Sequence, residues 1–142
     1  MMSIDLANLT IKKAHDALMR GDFTALELAE AYLKNIEAKN GELNAYLEVF
    51  DDVREQAKHA DAIIRNRKAG ILTGIPLAIK DNILIEGRRV GAASRILEGY
   101  IAPYDATAIK KIKEAGAVFL GRTNCDEFAM GGSTENSAYG VT

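Results

Sequence analysis

The chain has 142 residues and a net charge of −2, and 48% of its residues are hydrophobic while 27% are charged. This length is enough for one domain with a core of its own and too short for two ordinary domains, and the composition is unlike that of a disordered or membrane-embedded chain. The balanced charge disfavours direct, tight binding of nucleic acid by this segment.

The cytoplasm is the expected location. Residues 1–6 lack the basic start and the continuous apolar core of a secretory signal, and the acidic Asp5 argues against a mitochondrial presequence. No apolar run approaches the length of a bilayer span, so no membrane partner is expected. The one cysteine of the sequence, Cys125, cannot form an internal disulfide, which is compatible with a reducing compartment.

The first half of the chain is predicted to be helical. A first helix would begin after Thr10, whose hydroxyl can cap free backbone N–H groups, and would end at Gly21-Asp22. A second helix would begin at the capping box of Thr24 and Glu27 and end at Asn40-Gly41. The inward faces of these helices are predicted to carry Ile11, Ala14 and Leu18, and then Leu28, Ala29, Tyr32, Leu33 and Ile36.

A short strand and a third helix follow. Residues 45–50 form the predicted strand, and Asp51 is expected to cap the helix after it. The inward side chains of this helix would be Val53, Ala57, Ala60 and Ile64. The apolar helix faces are interpreted first as core, with docking of a partner as a minor alternative.

In the second half the pattern changes to short apolar runs. Residues 75–79 predict a buried strand, and a helix over residues 105–114 then leads into a second strand over residues 117–120. The helix is predicted to place Ile109 and Ile112 inward. Because a strand, a crossover helix and a strand imply parallel pairing within a covered sheet, the predicted fold class is α/β.

Lys80 follows directly after the predicted buried strand, and the residues alone leave two interpretations of it open. The more common one is a solvated lysine at the rim of the sheet. In the other, the side chain is held in a site, where desolvation favours the neutral amine that a general base needs. Asp81 and Asn82 are interpreted as turn residues that bond their own backbone.

The last twenty residues change from apolar to small and polar. Residues 123–139 leave the end of the second strand and contain the pair Gly131-Gly132. Such loops are where α/β enzymes tend to place ligands, because Gly residues let backbone N–H groups approach a substrate closely. We therefore predict a ligand-contacting loop, with a simple tight turn at the Gly pair as the alternative.

Three stretches of the sequence resemble the amidase signature family. They read LTGIPLAIKDNI, PYDATAIKKIKEAGAVFLGRTN and DEFAMGGSTENSAYG, and the segment FAMGGSTENS points to the tRNA amidotransferase branch of that family. The resemblance implies an α/β/α sandwich with a mixed central sheet, preceded by helices. Residues 1–142 would be the N-terminal portion of a single, incomplete amidase domain, with the Gly/Ser-rich signature and the C-terminal part expected after Thr142.

The resemblance also implies a Ser–Ser–Lys triad with Lys80 as its base. In such relatives one serine attacks the carboxamide of glutamine, a second serine bridges it to the lysine, and ammonia is released as an acyl-enzyme forms. Both serines should lie beyond Thr142, so the segment alone is expected to be inactive. Ser133 and Ser137 lie outside the Gly-rich setting of the family serines and are not predicted to be nucleophiles.

The partners that the resemblance implies are amidotransferase subunits B and C. Ammonia would pass to a partner subunit, which uses ATP and Mg to activate the Glu or Asp of mischarged Glu-tRNA(Gln) or Asp-tRNA(Asn) and yields Gln-tRNA or Asn-tRNA. This segment itself is expected to bind no cofactor and no metal. The alternatives are a stand-alone amidase of the same family and a non-catalytic α/β binding module.

Substrate contacts in such relatives come from the polar loop. The residues that the resemblance assigns to the substrate are Met130, Gly131, Gly132 and Ser133. Asn124 and Glu127 are expected to brace this loop by hydrogen bonds. Cys125 stands where relatives commonly carry methionine, so a buried apolar role is expected for it.

Overall fold

Four α-helices and three β-strands form the part of the chain that this computed structural model describes, residues 4–142. In chain order they are α1 (Ile11–Arg20), α2 (Ala25–Leu43), β1 (Tyr46–Val49), α3 (Val53–Arg65), β2 (Pro76–Lys80), α4 (Thr107–Glu114) and β3 (Val118–Thr123). Short 3-10 turns occur at Leu6–Asn8, Arg95–Leu97 and Glu127–Ala129. Residues 1–3, on which part of the leader interpretation rests, lie outside the described residues.

β3 lies at the centre of the sheet. It pairs in parallel with β2 and antiparallel with β1, so the strand order is β1-β3-β2 and the sheet is mixed. The predicted α/β class and the parallel pairing across the crossover helix are therefore confirmed. In this register Lys80 at the end of β2 lies opposite Thr123 at the end of β3.

The apolar faces of the helices form one core with the sheet. Of the side chains predicted to face inward, those that are buried are Ala14, Leu18, Leu28, Ala29, Ile36, Val53, Ala57, Ala60 and Ile109. Those that pack against this core while partly buried are Tyr32, Leu33, Ile64 and Ile112. The prediction for Ile11 is wrong: it is exposed in the first turn of α1, so the core begins one turn later, at Ala14.

The first two long helices begin at their predicted caps. Thr10 Oγ1 accepts a hydrogen bond from the backbone N–H of Lys13 at 3.2 Å. Thr24 and Glu27 form the predicted capping box, in which each side chain accepts from the backbone N–H of the other residue, at 3.1 and 2.8 Å. Two donors that a helix start would otherwise leave free are thereby satisfied.

α2 continues past Asn40-Gly41, where the sequence predicted its end. Leu43 is its last residue, and Asn44 closes it in a left-handed conformation with a φ of 50°. Asn tolerates this conformation better than most residues, so it takes the place expected for Gly. The side chain of Asn40 instead accepts from the N–H of Tyr46 at 2.7 Å and donates to its carbonyl at 2.9 Å.

The start of α3 also differs from the prediction. Asp52, not Asp51, precedes its first residue, and the Asp52 carboxylate makes no capping hydrogen bond. It accepts instead from Arg88 at 2.6 Å and from the side chain of Gln56 at 2.9 Å. A charged donor therefore displaces the local cap, because charge-assisted hydrogen bonds are the stronger ones.

The elements of the second half are shifted at their ends. α4 begins at Thr107 and not at residue 105, because the Asp105 carboxylate is engaged outside the helix by the N–H of Glu86 and the Lys113 ammonium, both at 2.8 Å. β3 runs three residues beyond the predicted end at residue 120, since its last residues continue to pair with β2. This extension brings the end of β3 level with Lys80.

Candidate functional site

Lys80 is the last residue of β2 and is exposed at the carboxyl edge of the parallel strand pair. Loops follow both strands at this edge, residues 81–94 after β2 and residues 124–139 after β3. Lys80 and these two loops are called the site edge below. In open α/β sheets, ligands bind in the crevice outside the carboxyl ends of the strands, so this edge is the first place to look for a site.

Asp81 holds the first loop of the site edge. It is 1% exposed, and its carboxylate accepts from the backbone N–H groups of Gly91 at 3.1 Å and Ala93 at 2.8 Å. Arg122 of β3 donates a third hydrogen bond at 2.7 Å. The expectation that Asp81 bonds its own turn is therefore wrong: a buried carboxylate needs several donors, and it finds them ten and twelve residues ahead and on the next strand.

Arg122 links all three strands through its guanidinium. Besides Asp81, which follows β2, it donates to Glu48 of β1 at 2.9 Å. Burial opposes the charge of the guanidinium, but the hydrogen bonds to Glu48 and Asp81 outweigh burial and raise its pKa. The side chain therefore stays cationic and ties the loop after β2 to the sheet.

The two loops of the site edge are hydrogen-bonded to each other. The carbonyls of Ala92 and Ala93 accept from backbone N–H groups of the second loop at 2.8 and 2.9 Å. The hydroxyl of Ser94, which is fully buried, donates to Glu127 at 2.6 Å. Both alanines adopt a left-handed φ of 49°, a conformation that costs energy for residues other than Gly and persists only where the surroundings enforce it.

Asp126 holds the second loop in the same way. It is 4% exposed, and it accepts from the backbone N–H groups of Ser133, Thr134 and Asn136 at 3.0, 3.1 and 3.2 Å. These bonds, led by that of Ser133, hold the pKa of the carboxyl below its ordinary value, and the positive charge of Lys80 adds to the effect. Lys80 and this loop are therefore neighbours at the site edge.

The residues that the sequence assigns to the substrate lie on the exposed side of the second loop. Met130 is 80% exposed, and the three residues after it are exposed as well. The Ser133 hydroxyl donates to Glu135 at 2.9 Å. The fold thus brings Lys80 and residues 130–133 to the same edge of the sheet, while their contact with a substrate stays a prediction.

Asn124 and Glu127 tie down the base of the second loop. The Asn124 side chain donates to the carbonyl of Gly140 at 2.8 Å and accepts from the Ser137 hydroxyl at 2.6 Å. Glu127 accepts from Ser94, as described above. These are contacts that a bracing role requires, and the role itself stays a prediction.

Cys125 is buried. Burial raises the pKa of its thiol, so the group stays protonated at neutral pH. Because the thiolate and not the thiol is the nucleophile, this position fits apolar packing rather than covalent chemistry.

The two carboxylates that hold the loops were not predicted as site residues. Locally, Asp81 and Asp126 resemble ordinary turn aspartates, because their donors come from residues five or more positions away. One pattern could have indicated them. Each follows a strand that ends at the site edge, and each precedes a glycine that packs against its carboxylate, Gly91 for the first and Gly131 for the second.

Within residues 4–142, His, Cys, Asp and Glu side chains do not come together in groups of three or more that could hold a metal ion. None of the helices in this described range is both long and apolar enough to cross a bilayer.

Comparison with known proteins identifies the family. The family model described as Amidase matches residues 27–142. The A subunit of the Glutamyl-tRNA(Gln) amidotransferase of Ruminiclostridium cellulolyticum is 49% identical over 140 residues, which are 98% of this chain and 29% of that protein. The protein of the same name from Koribacter versatilis is 51% identical over 139 residues, 96% of this chain and 29% of that protein. The chain thus spans less than a third of the length of these curated relatives.

Solved structures agree with this assignment. The peptide amidase of Stenotrophomonas maltophilia superimposes with a TM-score of 0.87 at 31% identity, covering 96% of this chain and 30% of that one. The A subunit of the Glutamyl-tRNA(Gln) amidotransferase of Thermotoga maritima superimposes with a TM-score of 0.76 at 39% identity, covering 99% of this chain and 28% of that one. The fold and the sequence lead to the same conclusion, and the chain belongs to the amidase family.

Proposed function

We propose that this chain is the N-terminal part of the glutamine-hydrolysing subunit of a tRNA-dependent amidotransferase, with Lys80 as the catalytic base. The observation that carries the proposal is the identity of 49% over 98% of the chain to a relative with that subunit name. Lys80 supports it, because it stands at the carboxyl edge of parallel strands beside the polar loop.

The proposed chemistry begins with proton transfer to Lys80. A neutral amine at Lys80 accepts, through a bridging serine, the proton of a serine hydroxyl that attacks the carboxamide carbon of glutamine. The proton returns to the leaving nitrogen, which departs as ammonia, and water then hydrolyses the ester to glutamate. Both serines come from the part of the relatives that follows these residues, so we expect residues 1–142 to be inactive when expressed by themselves.

The ammonia would serve a second reaction in a complex with subunits B and C. In that reaction a partner subunit uses ATP and Mg to activate the Glu of Glu-tRNA(Gln), or the Asp of Asp-tRNA(Asn), before the amide is formed. This chain would supply ammonia and take no part in binding ATP or the metal.

The test uses a completed chain, in which residues 1–142 are followed by the remainder of the Ruminiclostridium relative and assembled with the partner subunits of that relative. Lys80→Met keeps the apolar stem and removes the base, and Lys80→Arg keeps a charge that cannot be given up at neutral pH. Both changes should lower glutamine-dependent amidation by about 10²- to 10⁴-fold and leave ammonia-dependent amidation intact.

Lys12→Met is the matched control, because Lys12 is an exposed lysine on α1 that pairs with Asp16. It should leave both reactions unchanged. Equal loss of both reactions in the Lys80 variants would mean that assembly had failed. Retention of the glutamine-dependent reaction would end the assignment of Lys80 as the base and favour a non-catalytic module.

A stand-alone amidase is the second candidate. The observation that favours it is the higher TM-score with the peptide amidase, 0.87 against 0.76 for the amidotransferase protein. The completed chain without partners separates the two candidates when glutamine and a peptide amide are compared as substrates. A preference for the peptide amide would favour the stand-alone amidase.

A further inference from the structure

Asp126 is buried beneath the loop that is assigned to the substrate, yet the proposed chemistry does not use it. Its Oδ2 accepts from the N–H groups of Ser133 and Thr134, and its Oδ1 accepts from that of Asn136. Three donors that belong to one short stretch of backbone thus converge on one carboxylate. Such convergence fixes the backbone around the anion, as it does in the concave sites where loops bind free anions.

The two glycines of the loop differ in their surroundings. A Cβ at Gly131 would overlap the carboxyl group of Asp126, whereas a Cβ at Gly132 would meet nothing within 4 Å. Gly131 is therefore packed on the carboxylate, while Gly132 faces open space. The loop has a held inner side and a free outer side, and the free side is the one that a ligand can approach.

The charge that holds the loop persists at neutral pH. The pKa of Asp126 lies below its ordinary value, chiefly because of the hydrogen bond from the N–H of Ser133. A group with a lowered pKa contributes its stabilisation at all pH values above its ordinary pKa and loses it as the pH falls through the lowered one. The loop is therefore held in the neutral range and released only in acid.

We propose that Asp126 is a positioning residue, which holds residues 130–133 in the conformation that receives the carboxamide substrate. The inference deepens the proposed function and rests on it for the nature of the substrate. Asp126 acts through the loop and does not touch the substrate. Because the backbone is already ordered in the free protein, substrate binding does not have to bear the entropy cost of ordering it.

The first measurement is hydrogen exchange of residues 130–137 in the completed chain, followed by mass spectrometry. Asp126→Asn has one acceptor oxygen in place of two, so at least one of the three N–H groups loses its partner, and Asp126→Ala removes all three. Each lost bond should speed exchange of its amide roughly fivefold. Residues 88–95, whose backbone is held by Asp81, should keep their exchange rates in the same samples.

The second measurement is the glutamine dependence of amidation. A loop that must be ordered by the substrate weakens binding, so Asp126→Asn should raise KM for glutamine roughly tenfold and change kcat by less than about threefold. Gly131→Ala, which pushes on the carboxylate from the other side, should reproduce both effects. Asp16→Asn is the control, because it removes the same charge from an exposed ion pair on α1.

Faster exchange together with a raised KM supports the proposal. Unchanged exchange over residues 130–137 overturns it, and so does faster exchange with an unchanged KM. A completed chain with no glutamine-dependent reaction before any substitution would count against the proposed function instead. In that case the exchange rates alone decide whether Asp126 holds the loop, so the two failures are distinguishable.

Discussion

The helical region, α1 to α3, and the site edge are held together by different interactions. In the helical region the buried side chains are apolar, and the hydrogen bonds that fix the helix starts span three residues, as between Thr24 and Glu27. At the site edge the buried groups include carboxylates, and their hydrogen bonds span 41 residues from Asp81 to Arg122. The chain therefore builds its scaffold by burying apolar surface and uses buried charge to hold its loops.

The backbone shows the same division. Seven described residues other than glycine have a positive φ, and five of them, Ala92, Ala93, Phe128, Ala129 and Thr134, lie at the site edge. Such conformations cost energy and persist where surrounding contacts over-determine them, which happens most often at functional sites. The site edge is thus the strained part of the molecule, and its polar contacts are what keep that strain in place.

Arg122→Met should have the largest effect on stability. It leaves the Asp81 carboxylate, whose side chain has no exposed surface, without its cationic partner. Removing one partner of a buried ion pair typically lowers the free energy of unfolding by about 3–5 kcal/mol. The measurement is urea unfolding followed by circular dichroism.

Arg54→Met is the matched control for this change. Arg54 pairs with Glu30 at 2.6 Å, but both side chains are about half exposed, so the loss should be about 0–1 kcal/mol. If the two substitutions cost the same, buried charge does not hold the site edge, and the division between the two regions fails.

Leu28→Ala tests the other side of the comparison and should have the next largest effect. Leu28 is 0% exposed in the core face of α2, and its loss should cost roughly 3 kcal/mol through lost burial and the cavity that remains. Leu43→Ala makes the same change in the same helix at a side chain that is 49% exposed, and it should cost much less. Equal costs would show that α2 is not packed as described.

The sequence predicted what depends on nearby residues. Apolar periodicity and the Thr24 capping box located the helices, and the change to short apolar runs located the parallel strands and hence the position of Lys80. The partners of Asp81 and Asp126 could not be predicted in this way. A carboxylate chooses its donors after the chain has folded, and no local pattern encodes a bond from Asp81 to a strand 41 residues away.

The end of α2 shows a smaller failure of the same kind. Asn40-Gly41 has the composition of a helix end, but the Asn40 side chain is engaged by the backbone of Tyr46, and Asn44 supplies the left-handed residue three positions later. The choice between two possible end points was made by a contact outside the helix. Local propensity ranked them in the wrong order, because Gly is only modestly unfavourable inside a helix.

Gly41→Ala tests this boundary and should have the smallest effect, with the opposite sign. Gly41 lies inside α2, and a Cβ there would meet nothing within 4 Å, so alanine should raise the free energy of unfolding by about 0.5–1 kcal/mol. The matched control is Gly21→Ala at the end of α1, where φ is 76° and alanine should destabilise by about 1 kcal/mol. Both are measured by urea unfolding of the same chain. If Gly41 ended the helix in a left-handed conformation, its substitution would behave like that of Gly21, and a loss of stability at both positions would return the end of α2 to the place that the sequence predicted.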